Sequence, residues 1–442
     1  MRPLNVLLVV YAFPPAAGVG TLRAASLARY LPAEGIRLDV LTTRNPAAVG
    51  TDASLLQEIP AEVTIHRTIT PDFPFGIKKW LKRVVNRGKP QNRQAHTGSP
   101  ARNSNFFKRI IENILLPDPQ VAWLPILTPV ARRIVRRRHI DAVIITAPPF
   151  STFLLAERLR KSFPHLKIVL DFRDEWITAA FSDASFAFNT SERARAFAIQ
   201  AEARAVESAD TVVAAAEEAR KEIRSRYAKD PDSRFQLIPN GFDRTRIQPS
   251  PRRNHWAPER KIVVTYTGTI YSTYTNPAQL IQAIRSLPPE IKSRFVFRFV
   301  GHIEEARYRE SLLELGDLVE LKGYMPQLKA IEIMNESDYA LLISHDRLNI
   351  SAKFYEYVGA YKPVLACVHP NCDVRHMIEN LKAGWWADSR DEGAIRQLLI
   401  DAATRAGSLT EDFRPDREKI ACFERKPLAQ RYAALLHALA EK

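Results

Sequence analysis

The sequence predicts an α/β protein built from two doubly wound parallel sheets. Three observations point there. Short apolar runs alternate with amphipathic helical patterns along the whole chain, which is the signature of strand-helix-strand units. The runs fall into two series separated by a Pro-rich, charged stretch. At 442 residues and 46% hydrophobic, the chain exceeds one ordinary core but suits two domains of roughly 200 residues each.

In the first series the strands read Val6 to Tyr11, Leu38 to Thr42, Ala142 to Thr146, Ile168 to Asp171 and Thr211 to Ala214. The second runs Ile262 to Tyr266, Phe295 to Val300, Val319 to Lys322, Tyr339 to Ile343 and Val364 to Val368. Between them FDRTRIQPSPRRNHWAPER, from Phe242 to Arg260, has no apolar periodicity and reads as a linker. Leu4 to Tyr11 follows Arg2 but is short, lacks a small-residue cleavage site and meets Pro14-Pro15, so it reads as a first strand and not as a leader. No apolar run approaches the roughly 20 residues that span a bilayer.

Charge and cysteine content narrow the partners. A net charge of +15 favours nucleotides, nucleic acids or acidic lipid. No RRM, KH, helix-turn-helix or zinc signature is present, so no nucleic-acid partner is expected. Cys367, Cys372 and Cys422 lack paired spacing for a disulfide framework or a zinc site, and a cytoplasmic setting fits them. The stretch Phe73 to Ile111 carries ten Lys or Arg and no acidic residue. Within it Ile77, Trp80, Leu81, Val84 and Val85 share one helical face, and Phe106 to Leu116 repeats the pattern beside Lys108 and Arg109. An anionic membrane surface is therefore an expected partner of Phe73 to Leu116, with peripheral attachment to the inner face of the plasma membrane. The alternative is that the apolar face packs on the domain and the charges are solvated. Arg132, Arg133, Arg136, Arg137 and Arg138 extend the patch or form a solvated face.

Candidate chemistry is concentrated where strands end. SAKFYEYVGAYKPVLA, Ser351 to Ala366, sets Phe354, Tyr357, Val358 and Tyr361 on the buried stripe of a short helix and Lys353 and Glu356 on the adjacent one. A helix start beside a lysine favours an anion, and a glutamate one turn later accepts two hydroxyl hydrogen bonds. Ligands of open parallel sheets bind at strand carboxyl ends. Gly268-Thr269, Gly301, Gly323-Tyr324-Met325-Pro326 and His345-Asp346 occupy such ends. In the first half YAFPPAAGVG brings Gly18 and Gly20 close to a ligand or simply turns the chain into a helix. Asp171, Arg173 and Asp174 of IVLDFRDEW either face an acceptor, Arg173 taking a phosphate, or form an ion pair with Asp174 capping the next helix. No D-x-D motif is present, and no metal is expected.

Taken in order, these segments resemble the GT-B glycosyltransferases of the retaining family 4. The resemblance rests on YAFPPAAGVG, LPDPQVAWLP, TAPPFS, DFRDEW, IPNGFD, YTGTI, FVGH, KGYMP and KFYEY with KPVLA, and it covers nearly the whole chain. It implies two Rossmann-like domains facing a central cleft: residues 1–245 for the acceptor, 246–425 for a nucleotide-sugar donor, and a final helix, 426–442, that crosses back to the first. Glu356 matches the second glutamate of the family's E-x7-E motif, which pairs with the nucleotide ribose. Leu348 occupies the position of the first. The Arg and Lys common after the first strand of the second domain are replaced by Thr269 and Tyr274. Lys353 is then the cation for the diphosphate, with Thr269 and the backbone of Gly18 and Gly20 assisting, and Tyr324 and Met325 flank the base. The implied activity is hexosyl transfer with retention from a nucleotide sugar to a glycan or lipid-linked acceptor of polysaccharide biosynthesis, without a metal or other cofactor. Two alternatives stay open: a GT-B nucleotide-sugar epimerase, and a catalytically degenerate binding subunit.

Overall fold

The computed structural model describes residues 2–16, 18–46, 51–71, 115–180, 191–249, 260–406 and 413–441. All but the last two residues of the basic Phe73 to Leu116 segment, on which the membrane expectation rests, lie outside the described residues; Leu116 itself is buried. The chain forms two compact units. One comprises Met1–Ala214, Arg226–Gln236 and Ala429–Lys442, the other Ala215–Ser225 and Leu237–Leu428. The first residues of the expected linker are no linker: Phe242 and Ile247 are buried in the core of the second unit. Gly241 makes this possible, since a Cβ there would lie 2.1 Å from the carbonyl oxygen of Phe423.

The first unit contains a seven-stranded sheet in the order β3-β2-β1-β4-β5-β6-β7. Its strands are β1 (Leu4–Val9), β2 (Ile36–Thr43), β3 (Thr64–Thr68), β4 (Ala142–Ala147), β5 (Lys167–Phe172), β6 (Thr211–Ala214) and β7 (Phe235–Leu237). From β3 through β6 every pairing is parallel, with Val6 opposite both Leu38 and Ala142. Every residue of β4 is buried, as expected of a central strand covered on both faces. The helix Leu124–Arg137 turns Leu127, Ala131, Ile134 and Val135 inward. The arginines here are partly committed to the fold: Arg132 of the helix donates to the carbonyl of Arg158, and Arg138, just past its end, pairs with Asp39 at 3.2 Å.

The second unit holds a six-stranded, wholly parallel sheet in the order β10-β9-β8-β11-β12-β13. The strands are β8 (Ile262–Thr267), β9 (Phe295–Val300), β10 (Val319–Gly323), β11 (Tyr339–Ser344), β12 (Val364–Val368) and β13 (Gly384–Asp388). Alternation along β11 divides the core. Tyr339, Leu341 and Ile343 join the cluster of Tyr266, Phe297 and Leu399, while Ala340 and Leu342 join that of Phe354, Tyr357 and Val358. Members of both clusters are buried, and each large apolar side chain among them contributes roughly 1.5–3 kcal/mol.

β3, β7 and β13 were not among the expected strands. β3 is half-exposed along its whole length, β7 has three residues, and β13 is GWWAD, opened by a glycine. These strands lie at or near sheet edges, where one-sided burial leaves little apolar run to detect. The helix after β11 spans Ala352–Gly359 and ends before Pro363, because Tyr361 takes a positive φ of 53°.

Candidate active site

The carboxyl ends of β8, β9 and β10 meet through three glycines. Gly268 donates to the carbonyl of Val300, and Gly301 donates to that of Gly323 at 2.8 Å. Gly301 has φ +147°, and a Cβ there would sit 2.1 Å from the carbonyl oxygen of Gly268. Only glycine permits that approach. The result is a rim in which Gly268 and Gly323 stay exposed.

The helix Ala352–Gly359 is fastened to this rim twice. Tyr357 takes the N–H of Thr267 at 3.0 Å and pairs with its hydroxyl at 2.9 Å. One turn earlier Lys353 Nζ donates to Tyr266 Oη at 2.6 Å and lies 4.0 Å from that ring's centre. Tyr266 in turn donates to the carbonyl of Thr269 at 2.9 Å. A Cβ on Gly268 would come within 3.0 Å of the ammonium, so glycine leaves the space that Lys353 uses. Burial brings the Lys353 pKa down to about 7, with Glu356 opposing the shift. The Glu356 carboxyl is pushed up by burial against the hydrogen bond from Gln327 and the charges of Arg425 and Lys353. The expected Gly268, Thr269, Lys353 and Glu356 thus come together, joined by Tyr266 and Gln327, which sequence reasoning missed. Gln327 opens the helix after the KGYMP turn, and Tyr266 stands two residues before Gly268 on the strand; neither position announces a partner in sequence. Tyr324 is 69% exposed on the loop just before that helix, and Met325 is half-buried.

Leu348, at the position of the missing glutamate, is buried at 4% exposure. The nearby Asp346 does not replace it. Its carboxylate takes the N–H groups of Leu348 and Asn349 at 2.8 and 3.0 Å and the Asn349 side chain at 2.9 Å, which fixes the loop.

The first unit corrects the acceptor set. Asp171 is fully buried, with Arg23 on both its oxygens at 3.1 and 2.8 Å and the Tyr432 hydroxyl donating to it at 2.6 Å. Arg23 and its hydrogen bonds hold this carboxyl below its usual range against the upward push of burial. Asp171 therefore belongs to an internal ion pair, and its cation is Arg23, not the adjacent Arg173. Arg173 is likewise occupied by carbonyls. It donates to Gly20 at 2.6 Å, to Ala147 at 3.2 Å and to Pro148. Gly20 leaves the space that this guanidinium occupies, since a Cβ there would meet Arg173 Nη1 at 2.3 Å. Asp174 is exposed, and Gly18 has φ +129° with open space around it. The motifs TAPPFS and LPDPQVAWLP are also structural in part: Asp118 takes the Ser151 N–H at 2.9 Å, Phe150 stacks on Trp176, and the buried Trp123 donates to Thr68.

Two family models match the sequence in succession: Glycosyltransferase Family 4 over residues 93–246 and Glycosyl transferases group 1 over residues 248–415. The chain is a GT-B glycosyltransferase. No protein of curated function matches the transferase's sequence. Solved structures share its fold across nearly the full length. HepE from Anabaena, in complex with UDP, is 13% identical, with 98% of this chain and 100% of that chain covered at a TM-score of 0.63. Sucrose-phosphate synthase from Thermosynechococcus elongatus is 14% identical, with 99% of each chain covered at 0.65. WaaG, a glycosyltransferase of lipopolysaccharide biosynthesis, is 15% identical, with 98% and 99% covered at 0.58. No described helix of the transferase is long and apolar enough to cross a membrane.

Proposed function

We propose that the second unit binds a nucleotide-sugar donor and that the enzyme transfers the sugar, with retention of configuration, to a glycan or lipid-linked acceptor received by the first. The observation that carries this reading is the Lys353 ammonium, held by Tyr266 at the strand-end rim beside Gly268. A diphosphate is the ligand such a point charge favours. Solved relatives of the same fold hold UDP and UDP-glucose. Glu356, oriented by Gln327, then receives the ribose hydroxyls, and Tyr324 and Met325 lie beside the base.

In the reaction the bond between the anomeric carbon and the diphosphate oxygen breaks. A bond from the acceptor oxygen to that carbon forms on the same face, and the acceptor proton leaves with the diphosphate. Lys353 offsets the charge that grows on the leaving group, a contribution of the kind that electrostatic preorganisation supplies. The reading needs no metal. With Asp171 and Arg173 committed to the fold, Asp174 is the remaining acceptor-side candidate of its segment.

Proton NMR of the full chain with a panel of nucleotide sugars tests the assignment. Sugar transfer that requires a lipid-linked or glycan acceptor, and yields product with the donor's anomeric configuration, is expected. Conversion of the nucleotide sugar to its epimer without acceptor would instead make the protein an epimerase.

A further inference from the structure

We propose that Tyr266 is a positioning residue for donor recognition, its hydroxyl fixing the Lys353 ammonium where the diphosphate arrives. The inference rests on the donor-site reading above. Lys353 reaches the rim from the first turn of its helix on a flexible four-carbon stem, so the charge needs an acceptor to define its place. Tyr266 supplies one. Its hydroxyl accepts from Lys353 at 2.6 Å while donating to the Thr269 carbonyl at 2.9 Å, so that the phenol's own orientation is set by the strand-end loop. Thr275 binds the same carbonyl at 3.3 Å and the Tyr271 N–H at 2.7 Å, closing the loop around it. The ring itself is wholly buried in the core, against Phe299. A rigid side chain therefore transmits the position of β8 to a mobile cation.

The surroundings make the hydroxyl specific to that task. Titratable groups facing Lys353 are Tyr266 from β8 and Glu356 on its own helix, with Tyr357 and Tyr271 around the phenol. Tyr266 is neutral in this setting, because burial raises its pKa further. It is thus a neutral acceptor that adds no negative charge of its own beside the ammonium, which Glu356 alone faces as a carboxylate. A carboxylate at the same place would neutralise that charge and compete with the phosphates.

Substitution Tyr266→Phe keeps the ring and its contact with the ammonium and removes only the hydroxyl. Calorimetric titration with a nucleoside diphosphate should then show affinity reduced about tenfold at pH 6.5, the scale of one hydrogen bond to a charged group. The pH at which affinity begins to fall should move lower, because the ammonium loses an acceptor. In a Lys353→Met background the same substitution should change affinity by less than about twofold, as a coupled pair requires. Equal losses in both backgrounds would mean a purely structural tyrosine, and unchanged affinity and pH profile in the single variant would also overturn the proposal. If Lys353→Met alone leaves affinity intact, the donor-site reading itself fails, which is a separate result. Should Tyr266→Phe not fold, Lys353→Arg carries the test. A guanidinium keeps the charge but spreads it over a planar fork that does not reproduce the ammonium's single contact with the Tyr266 hydroxyl, so affinity should drop, and wild-type affinity would contradict positioning.

Discussion

Lys353 is a cation whose charge depends on pH in the range where enzymes work. Its ligand-free pKa is lowered from the usual lysine value to about 7, so the ammonium predominates well below that pH and is lost as pH rises through it. A diphosphate binds the charged form and raises that pKa. Donor affinity should therefore level off about a unit below that pKa and decline as pH rises through 7, approaching tenfold per unit until the bound-state pKa is reached. Titration calorimetry from pH 6 to 9 checks this, and a flat profile would show that Lys353 does not meet the phosphates. The sign for folding is opposite. Between 7 and 10.5 the unfolded chain holds the proton and the folded one does not, so this residue makes the ligand-free protein more stable as pH rises. Lys353 and Glu356 were legible in sequence because helical spacing alone puts them on one stripe. Tyr266 was not, since its partner is 87 residues away. Asp171 was misleading for a related reason: the nearest arginine in sequence is Arg173, but the side chain that reaches it is Arg23, 148 residues distant.

Among the elements, the returning helix Arg425–Ala440 shows how a polar network anchors an apolar surface. Leu428, Ala429, Tyr432, Ala433 and Leu436 are buried, and the Tyr432 hydroxyl both accepts from Arg23 at 2.7 Å and donates to Asp171 at 2.6 Å. Tyr432→Phe should destabilise the first unit by about 1–3 kcal/mol, because it strips one partner from each member of a buried ion pair. Denaturant unfolding followed by circular dichroism measures the loss, and an unshifted midpoint would show that the hydroxyl adds nothing. Strands such as β1, β4, β11 and β12 were legible as unbroken apolar runs. The edge elements were not: β3 reads TIHRT with every residue half-exposed, and β7 is too short to carry a pattern. The glycines at 268 and 301 were visible as loop residues, but their reason, contact between the ends of two strands, exists only once the sheet has formed.

For the whole molecule, the α/β class and the presence of two sheets followed from the double series of runs, and the family models and solved structures place the chain among GT-B glycosyltransferases. The boundary was less legible. Composition put the linker at Phe242, yet that side chain is in the core of the second unit, where Gly359 lies against its ring and Arg244 covers it at 4.6 Å. Polar sequence around a single buried aromatic hides such an anchor. The central claim concerns one residue in one unit: the donor's diphosphate is recognised by Lys353. Its most direct test is calorimetry of UDP and GDP against the wild type and Lys353→Met at pH 6.5. We expect one of the two nucleotides to bind the wild type and to lose affinity by about 10–100-fold in the variant, the scale of a charge-assisted contact. Equal affinity for wild type and variant would contradict the account.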